Sequence, residues 1–224
     1  MSYKDPRILH IKTSEDMLKI LQEKGKLLQS FKKGDIIPIF NKMQSSGTYI
    51  LTEAPGSTFD PEFKPHFTPG EMLRLGVFEG KYLNDCLLEY PAEWFLDALA
   101  LDKLRPGSHD IGINLFAILS RQPLSVWRKN GWAPSSRAHD KGQKAQYPML
   151  GDPAKNPDER GWFQWYCRYW MGRRIPELDH IQISRWKAFV RHAGAIKANC
   201  PGGDLECRPK QRQALLQWAH NPFI

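Results

Sequence analysis

The sequence predicts a mainly α-helical protein of the α+β class with a small β element near its N-terminus. Three observations lead to this prediction. Apolar residues recur at helical spacing through most of the chain, capping and proline signals open several of these stretches, and only two short β-like runs occur. The 224 residues are enough for one large domain or two small ones with a real core. We expect two units, an N-terminal module over residues 1–55 and a helical main domain over 68–224.

The N-terminal module is predicted to hold one helix and one β-hairpin. Residues 14–31 carry an apolar stripe, and Ser14 can cap the helix. The β-like runs 35–40 and 48–52 are separated by a Ser-Ser-Gly turn, which indicates a hairpin. Residues 54–70 contain four prolines and two glycines, so we expect a loop or linker there.

The main domain is predicted to be built from helices around one long loop. Thr68 and Glu71 form a capping box with Pro69 at the first helical position, so a helix should continue to about Leu75. Further helices are expected over 79–88, 91–101, 114–119, 123–129, 161–172, 178–198 and 208–219. The polar, proline-containing stretch at about 133–160 is expected to be a long loop.

Charge is distributed unevenly along the chain. The net charge is +8, and residues 161–224 carry ten Lys/Arg against four Asp/Glu. A localised basic excess favours a polyanionic partner, above all nucleic acid, although a solvated basic surface without a partner has the same composition.

The chain offers no sign of a membrane or secretory protein. No apolar run approaches the ~20 residues of a membrane-spanning helix, and no signal-type segment opens the chain. We therefore expect an intracellular location, cytoplasmic or nuclear/nucleoid, with no membrane partner. The four cysteines are expected to be reduced, and we expect no metal and no cofactor. The alternatives are a zinc ion held by Cys200, Cys207, His192 and Cys167, or a Cys200–Cys207 disulfide.

Residues 161–174 are the densest aromatic and basic segment of the chain. Trp, Tyr and Arg are the side chains that stack on flat ligands and bind phosphates, and they also fill crowded cores. Our leading hypothesis is a nucleic-acid-binding protein in which this segment and the following helix form the site. The candidate residues are Trp165, Arg168, Tyr169, Arg173, Arg174, Arg185, Trp186 and Arg191. The alternative is that the tryptophans are core and the arginines pair with acidic residues.

Two further segments could contact nucleic acid. Residues 114–132 resemble the second half of a helix-turn-helix unit, in which Arg121, Gln122 and Arg128 would face the major groove. Ile118 at the turn and Pro123 in the proposed recognition helix depart from that pattern, and an ordinary helical pair with Trp127 in the core is the alternative. Arg208, Lys210 and Arg212 crowd the start of the last predicted helix, where cations oppose the macrodipole and could meet an anion.

An enzyme acting on a nucleobase, nucleotide or nucleic acid is the second hypothesis. Its pocket would be lined by Trp, Tyr, Arg and one carboxylate, with Asp85, Glu93, Asp179 and His192 as acid–base candidates. No complete catalytic signature is present, so whether the protein is an enzyme stays open. A protein-interaction module is the third hypothesis, and it requires the aromatics to form an exposed patch.

Three segments together resemble a family of uncharacterised proteins. They are residues 68–80, 120–132 and 161–219, and with the stretches between them the resemblance covers about two thirds of the chain. The family has no activity that we can attach to it, so the resemblance assigns no role to any residue.

Overall fold

The fold is mainly helical with a small antiparallel hairpin, as the sequence predicts. A computed structural model describes residues 4–130, 148–152 and 154–224. Its α-helices are α1 Ser14–Lys24, α2 Pro69–Leu75, α3 Ala92–Ala100, α4 Leu124–Lys129, α5 Trp162–Trp170, α6 Pro176–Ala188, α7 Arg191–Asn199 and α8 Pro209–Gln217. Short 3-10 helices occur at Pro6–His10, Leu28–Ser30, Phe78–Gly80, Ile111–Ile113 and Pro148–Gly151. The strands are β1 Ile36–Pro38 and β2 Thr48–Ile50.

The N-terminal helix is shorter than predicted, and the predicted hairpin is confirmed. Thr13, rather than Ser14, caps α1 in a reciprocal capping box with Asp16. The helix ends at Gly25, whose extended backbone stops it, and the chain continues into the 3-10 turn Leu28–Ser30. In the hairpin Ile37 lies opposite Tyr49.

The hairpin is attached to the end of α5 through backbone contacts. The N–H groups of Thr52 and Glu53 both donate to the carbonyl of Gly172, at 2.9 and 3.0 Å. Gly172 has a φ of 107°, and a Cβ there would lie 2.1 Å from the Glu53 carbonyl oxygen. Only glycine allows the two backbones to approach this closely.

The stretch predicted as a linker contributes to the core. Phe63 is buried, and its ring packs edge-on against Trp165, Tyr166, Tyr169 and Trp186, with centroids 4.9 to 5.6 Å apart. The continuous apolar core includes residues from both sides of the predicted boundary between the two units.

Two predicted helices, 79–88 and 114–119, are wrong. The first is replaced by the 3-10 turn Phe78–Gly80 and irregular turns, in which Phe78, Glu79 and Leu83 adopt positive φ values of 52°, 58° and 62°. The second is a loop in which Ala117 has a φ of 47°. Asn114 accepts the N–H of Glu79 and Gln213 accepts the N–H of Phe116, so side chains far away in the sequence bind the backbone of both segments.

The C-terminal region forms a helical pair closed by a disulfide. The predicted helix 178–198 is two helices, α6 and α7, and α7 packs with α8. Cys200 and Cys207 are disulfide-bonded across the loop between α7 and α8, so the expectation of reduced thiols is wrong for this pair. Cys86 and Cys167 are free and buried.

The long loop predicted at 133–160 lies partly outside the described residues. Residues 131–147 and 153 are outside, whereas the end of the predicted loop packs into the protein, with Asn156 and Asp158 buried. Within the described part of the chain, no helix is long and apolar enough to cross a bilayer.

Candidate functional site

The aromatic residues of α5 form core rather than a ligand-binding wall. Trp165 and Tyr169 are 0% and 2% exposed, and their rings stack on each other at 5.0 Å. The indole N–H of Trp165 donates to Asp179 Oδ1 at 2.8 Å, and the hydroxyl of Tyr169 accepts from the N–H of Asp60. The hypotheses that these rings stack on bases, or form an exposed interaction patch, therefore lose their basis.

Arg168 and Arg173 belong to a buried ion-pair network. The guanidinium of Arg168 donates to Glu89 at 2.6 Å and to Asp158 at 2.9 Å, and Arg173 binds both oxygens of Asp158 at 2.8 and 2.7 Å. Arg168 and Asp158 are fully buried. Burial raises the pKa of Asp158, but the charges and hydrogen bonds of Arg173 and Arg168 outweigh it and leave the pKa below its usual value. These two arginines hold the core together and are not available to a phosphate.

The remaining candidates of α6 and its neighbourhood are also mostly engaged internally. Arg174 lies 3.9 Å over the Tyr169 ring and donates to four backbone carbonyls, two of them on Ser57 and Thr58. Trp186 is buried and stacks on His220 at 4.6 Å. Arg185 donates to Gln182 and lies over the Trp218 ring. Arg191 is exposed.

The cations around the start of α8 divide into one buried and two accessible side chains. Arg212 is fully buried and donates to the carbonyls of Asp204, Cys207, Pro222 and Ile224. It therefore links the loop before α8 to the residues that follow this helix. Lys210 is exposed and Arg208 is half-buried, with a left-handed backbone at the helix start.

The four acid–base candidates are not brought together. Glu93 accepts the N–H of Leu28 with both oxygens, and Asp179 bridges the Trp165 indole and the N–H of Ile175. His192 packs against Phe189, and partial burial lowers its pKa. Only Asp85 lines the pocket described next.

A cavity of about 430 Å³ opens between the hairpin loop, the 78–85 turns and the start of α4. Its volume lies within the range of small-molecule sites. Aromatic and apolar side chains line one part of it and charged side chains another. The aromatic lining is Phe78, Tyr82 and Trp127, and the charged lining is Lys42, Lys81, Asp85, Arg121, Glu159 and Arg160.

One side of this pocket is a neutralised ion pair. Arg160 donates to Asp85 Oδ2 at 2.6 Å, and the backbone N–H of Lys42 donates to the same oxygen at 2.7 Å. Asp85 is buried and the Arg160 side chain is 12% exposed. Because both charges are paired, this side contributes shape more than net charge.

Three further cations of the lining lack an ion-pair partner among the described residues. They are Lys42, Lys81 and Arg121, and Lys81 Nζ donates a hydrogen bond to the Gly107 carbonyl at 2.7 Å. Burial lowers the pKa of Lys81, and the charges of Arg121 and Lys42 lower it further. These cations repel one another, and with Glu159 also in the lining the pocket keeps an excess of positive charge that a bound anion would offset.

The loop that presents Arg121 and Gln122 to the pocket is held by two buried polar side chains. Glu79 Oε1 accepts the N–H groups of Ser120 and Arg121 at 3.0 and 3.1 Å. Asn114 accepts the N–H of Glu79 and donates to the Ile118 carbonyl. The positive φ of Phe78, Glu79 and Ala117 lies in the same region, and strained backbone of this kind collects at functional sites.

Two residues of this pocket, Arg121 and Gln122, are also candidates from the sequence, but as part of a helix-turn-helix unit. Arg121 and Gln122 were expected on a recognition helix, but they lie in the loop before α4, and the first helix of a helix-turn-helix unit is absent from residues 114–123. The side chain of Arg128 lies outside the described part of the structure. Lys42, Lys81 and Arg160 were missed because they come from three separate segments with no shared motif.

No family model, no curated protein and no solved structure matches the chain.

Proposed function

We propose that this protein binds a small anionic ligand with a flat ring, of the nucleotide class, in the pocket lined by Lys81, Arg121 and Tyr82. The observation that carries the proposal is a set of three cations that have no ion-pair partner among the described residues and line a concave site that also offers aromatic side chains. Nucleotides combine an anion with a flat aromatic base, and phosphate is a group that lysine and arginine side chains bind through charge-assisted hydrogen bonds.

The arrangement of rings supports a base-binding wall. Phe78 and Tyr82 lie 4.6 Å apart at an interplanar angle of 31°, and Phe163 lies behind both of them at 5.1 and 5.8 Å. Phe163 is buried, whereas Phe78 and Tyr82 are partly exposed. A base placed against such a wall gains contact area without disturbing the core.

Binding is favoured over acid–base catalysis at this site. The Asp85 carboxylate lies in the pocket wall. Arg160 and the backbone N–H of Lys42 both donate hydrogen bonds to its Oδ2. Oδ2 of Asp85 is thus already engaged by two donors within the protein. We therefore propose a nucleotide-binding protein and assign no reaction to it.

Nucleic acid is the second candidate partner. The exposed Arg191 and Lys210 and the half-buried Arg208 leave part of the C-terminal basic excess at the surface, and a mononucleotide pocket could also hold the end of a strand. Such binding would weaken steeply with salt because it releases counterions. An intracellular location belongs to the same proposal, and the Cys200–Cys207 disulfide opposes it because disulfides are rare in reducing compartments.

The test is isothermal titration of the four ribonucleoside monophosphates and of single-stranded oligonucleotides at two salt concentrations. We expect at least one monophosphate to bind with one-to-one stoichiometry and to bind more weakly to Arg121→Gln. Lys210→Gln is the matched control, because Lys210 is an exposed cation that does not line the pocket. Equal loss in both variants, or oligonucleotide binding without monophosphate binding, would favour the C-terminal surface instead.

A further inference from the structure

Ser120 is an uncharged residue of the pocket lining, and its hydrogen bonds determine whether its hydroxyl can donate to or accept from a ligand. Its Oγ accepts a hydrogen bond from Asn114 Nδ2 at 2.8 Å and another from Gln217 Nε2 at 2.8 Å. Its backbone N–H donates a hydrogen bond to Glu79 Oε1. Ser120 lines the pocket and is partly exposed.

The chemistry of a hydroxyl group then fixes the direction of its hydrogen. A serine hydroxyl has two lone pairs and one hydrogen. Both lone pairs are occupied by amide donors, so the O–H can act only as a donor. Among the described residues no acceptor receives this hydrogen. Ser120 can therefore donate this hydrogen to a ligand, and its occupied lone pairs argue against a role as a nucleophile.

The orientation of the Asn114 amide supports this assignment. Asn114 Oδ1 accepts the backbone N–H of Glu79 at 2.8 Å, and only the amide oxygen can do so. Its Nδ2 must then be the group that faces the Ile118 carbonyl and Ser120 Oγ. The hydrogen-bond partners thus determine which end of the amide meets the serine.

We propose that Ser120, Arg121 and Lys81 form a phosphate subsite in this pocket and that the ligand is a phosphomonoester. The inference rests on the proposed nucleotide-binding function and specifies which group of the nucleotide is recognised. All three side chains act as donors, so the subsite selects a group that only accepts hydrogen bonds. A phosphomonoester carries about −1.5 to −2 charges at pH 7, which matches several cations better than the single charge of a carboxylate.

The phosphate subsite predicts how affinity depends on ligand and pH. Adenosine monophosphate should bind at least about tenfold more tightly than adenosine, because each hydrogen bond to a charged group contributes roughly that factor or more. Its affinity should rise from pH 5 to pH 7 as the phosphate loses its second proton near pH 6.

The experiment is isothermal titration of adenosine monophosphate, adenosine and inorganic phosphate into four proteins. These are the wild type, Ser120→Ala, Ser120→Thr, which keeps the hydroxyl, and Ser45→Ala, which alters an exposed serine in the hairpin turn. We expect Ser120→Ala to weaken adenosine monophosphate about tenfold and to leave adenosine unchanged. Ser120→Thr should retain the affinity to within about threefold, and Ser45→Ala should match the wild type.

The selective loss separates a ligand contact from a structural role. If Ser120→Ala only disturbed the loop, adenosine and adenosine monophosphate would weaken together, and this would overturn the phosphate subsite. Unchanged binding of adenosine monophosphate by Ser120→Ala would also overturn the subsite while leaving the proposed function standing. Failure of the wild type to bind any of the four ribonucleoside monophosphates would overturn both.

Discussion

The molecule contains two regions that combine arginine with aromatic rings, and they do opposite things. Around α5, Arg168 and Arg173 are buried with Glu89 and Asp158, and each guanidinium is paired. Around the pocket, Arg121 and Lys81 line a concave surface beside Tyr82 with no ion-pair partner among the described residues. The two regions have the same kind of composition, basic and aromatic side chains. Whether a region can bind an anion depends on whether its cations are buried and paired with carboxylates.

The largest effect expected is on stability, from the buried network. Arg168→Met should lower the free energy of unfolding by about 3–5 kcal/mol, because it leaves Glu89 and part of Asp158 buried without their cation. Urea denaturation followed by circular dichroism measures the change. Arg74→Met, on an exposed arginine of α2, is the control. A loss below about 1 kcal/mol would mean that water reaches these carboxylates and that the two regions differ less than the geometry indicates.

The pocket should respond in ligand binding and hardly in stability. Arg121→Gln should weaken monophosphate binding by about 1.5–3 kcal/mol, the usual contribution of a charge-assisted hydrogen bond. Its free energy of unfolding should change by no more than about 0.5 kcal/mol, because its guanidinium makes no ion pair with any described residue. Calorimetric titration and urea denaturation of the same sample measure both. A large loss of stability would place Arg121 with the structural arginines.

Acid should distinguish the network from the pocket. The pKa of Asp158 is lowered in the folded protein, so its ionised form stabilises the fold above the unfolded pKa of about 3.9. That stability should be lost as the pH falls from about 4 through the lower folded pKa. The loss should be smaller in Asp158→Asn than in the wild type, as measured by denaturation between pH 6 and pH 2. Identical pH profiles would contradict the assigned direction of the pKa shift.

The smallest effect expected is relief of repulsion in the pocket. Lys81 has a lowered pKa because of burial and the charges of Arg121 and Lys42. Lys81→Gln should therefore leave stability unchanged or raise it by up to about 0.5 kcal/mol at neutral pH, while it weakens monophosphate binding. Thermal unfolding with and without the nucleotide measures both quantities. A destabilised variant would indicate that Lys81 is needed for the Gly107 contact rather than for a ligand.

The parts of the fold that local signals determine could be predicted from the sequence. The capping box of Thr68 and Glu71 forms as expected, and the hairpin turn and α5 follow from short-range patterns. The 79–88 segment could not be predicted, because its conformation depends on Asn114 and Glu79, which bind backbone groups about 35 to 42 residues away.

The candidate site was predictable only in part, for a similar reason. Trp165 and Arg168 attract attention because they lie in one dense segment, yet the partner that neutralises Arg168 is Glu89, 79 residues earlier. The pocket cations come from three positions far apart in the chain, Lys42, Lys81 and Arg121, so no window of sequence contains them. Pairing across such distances follows from the tertiary fold alone.

The most direct test of the central claim is a crystal structure of the protein grown with adenosine monophosphate. The account predicts density for the nucleotide in the pocket, with phosphate oxygens within hydrogen-bonding distance of Ser120 Oγ, the Arg121 guanidinium and Lys81 Nζ, and with the base against Tyr82. A nucleotide bound near Arg191 and Lys210 instead, or an unchanged empty pocket at saturating nucleotide, would contradict it.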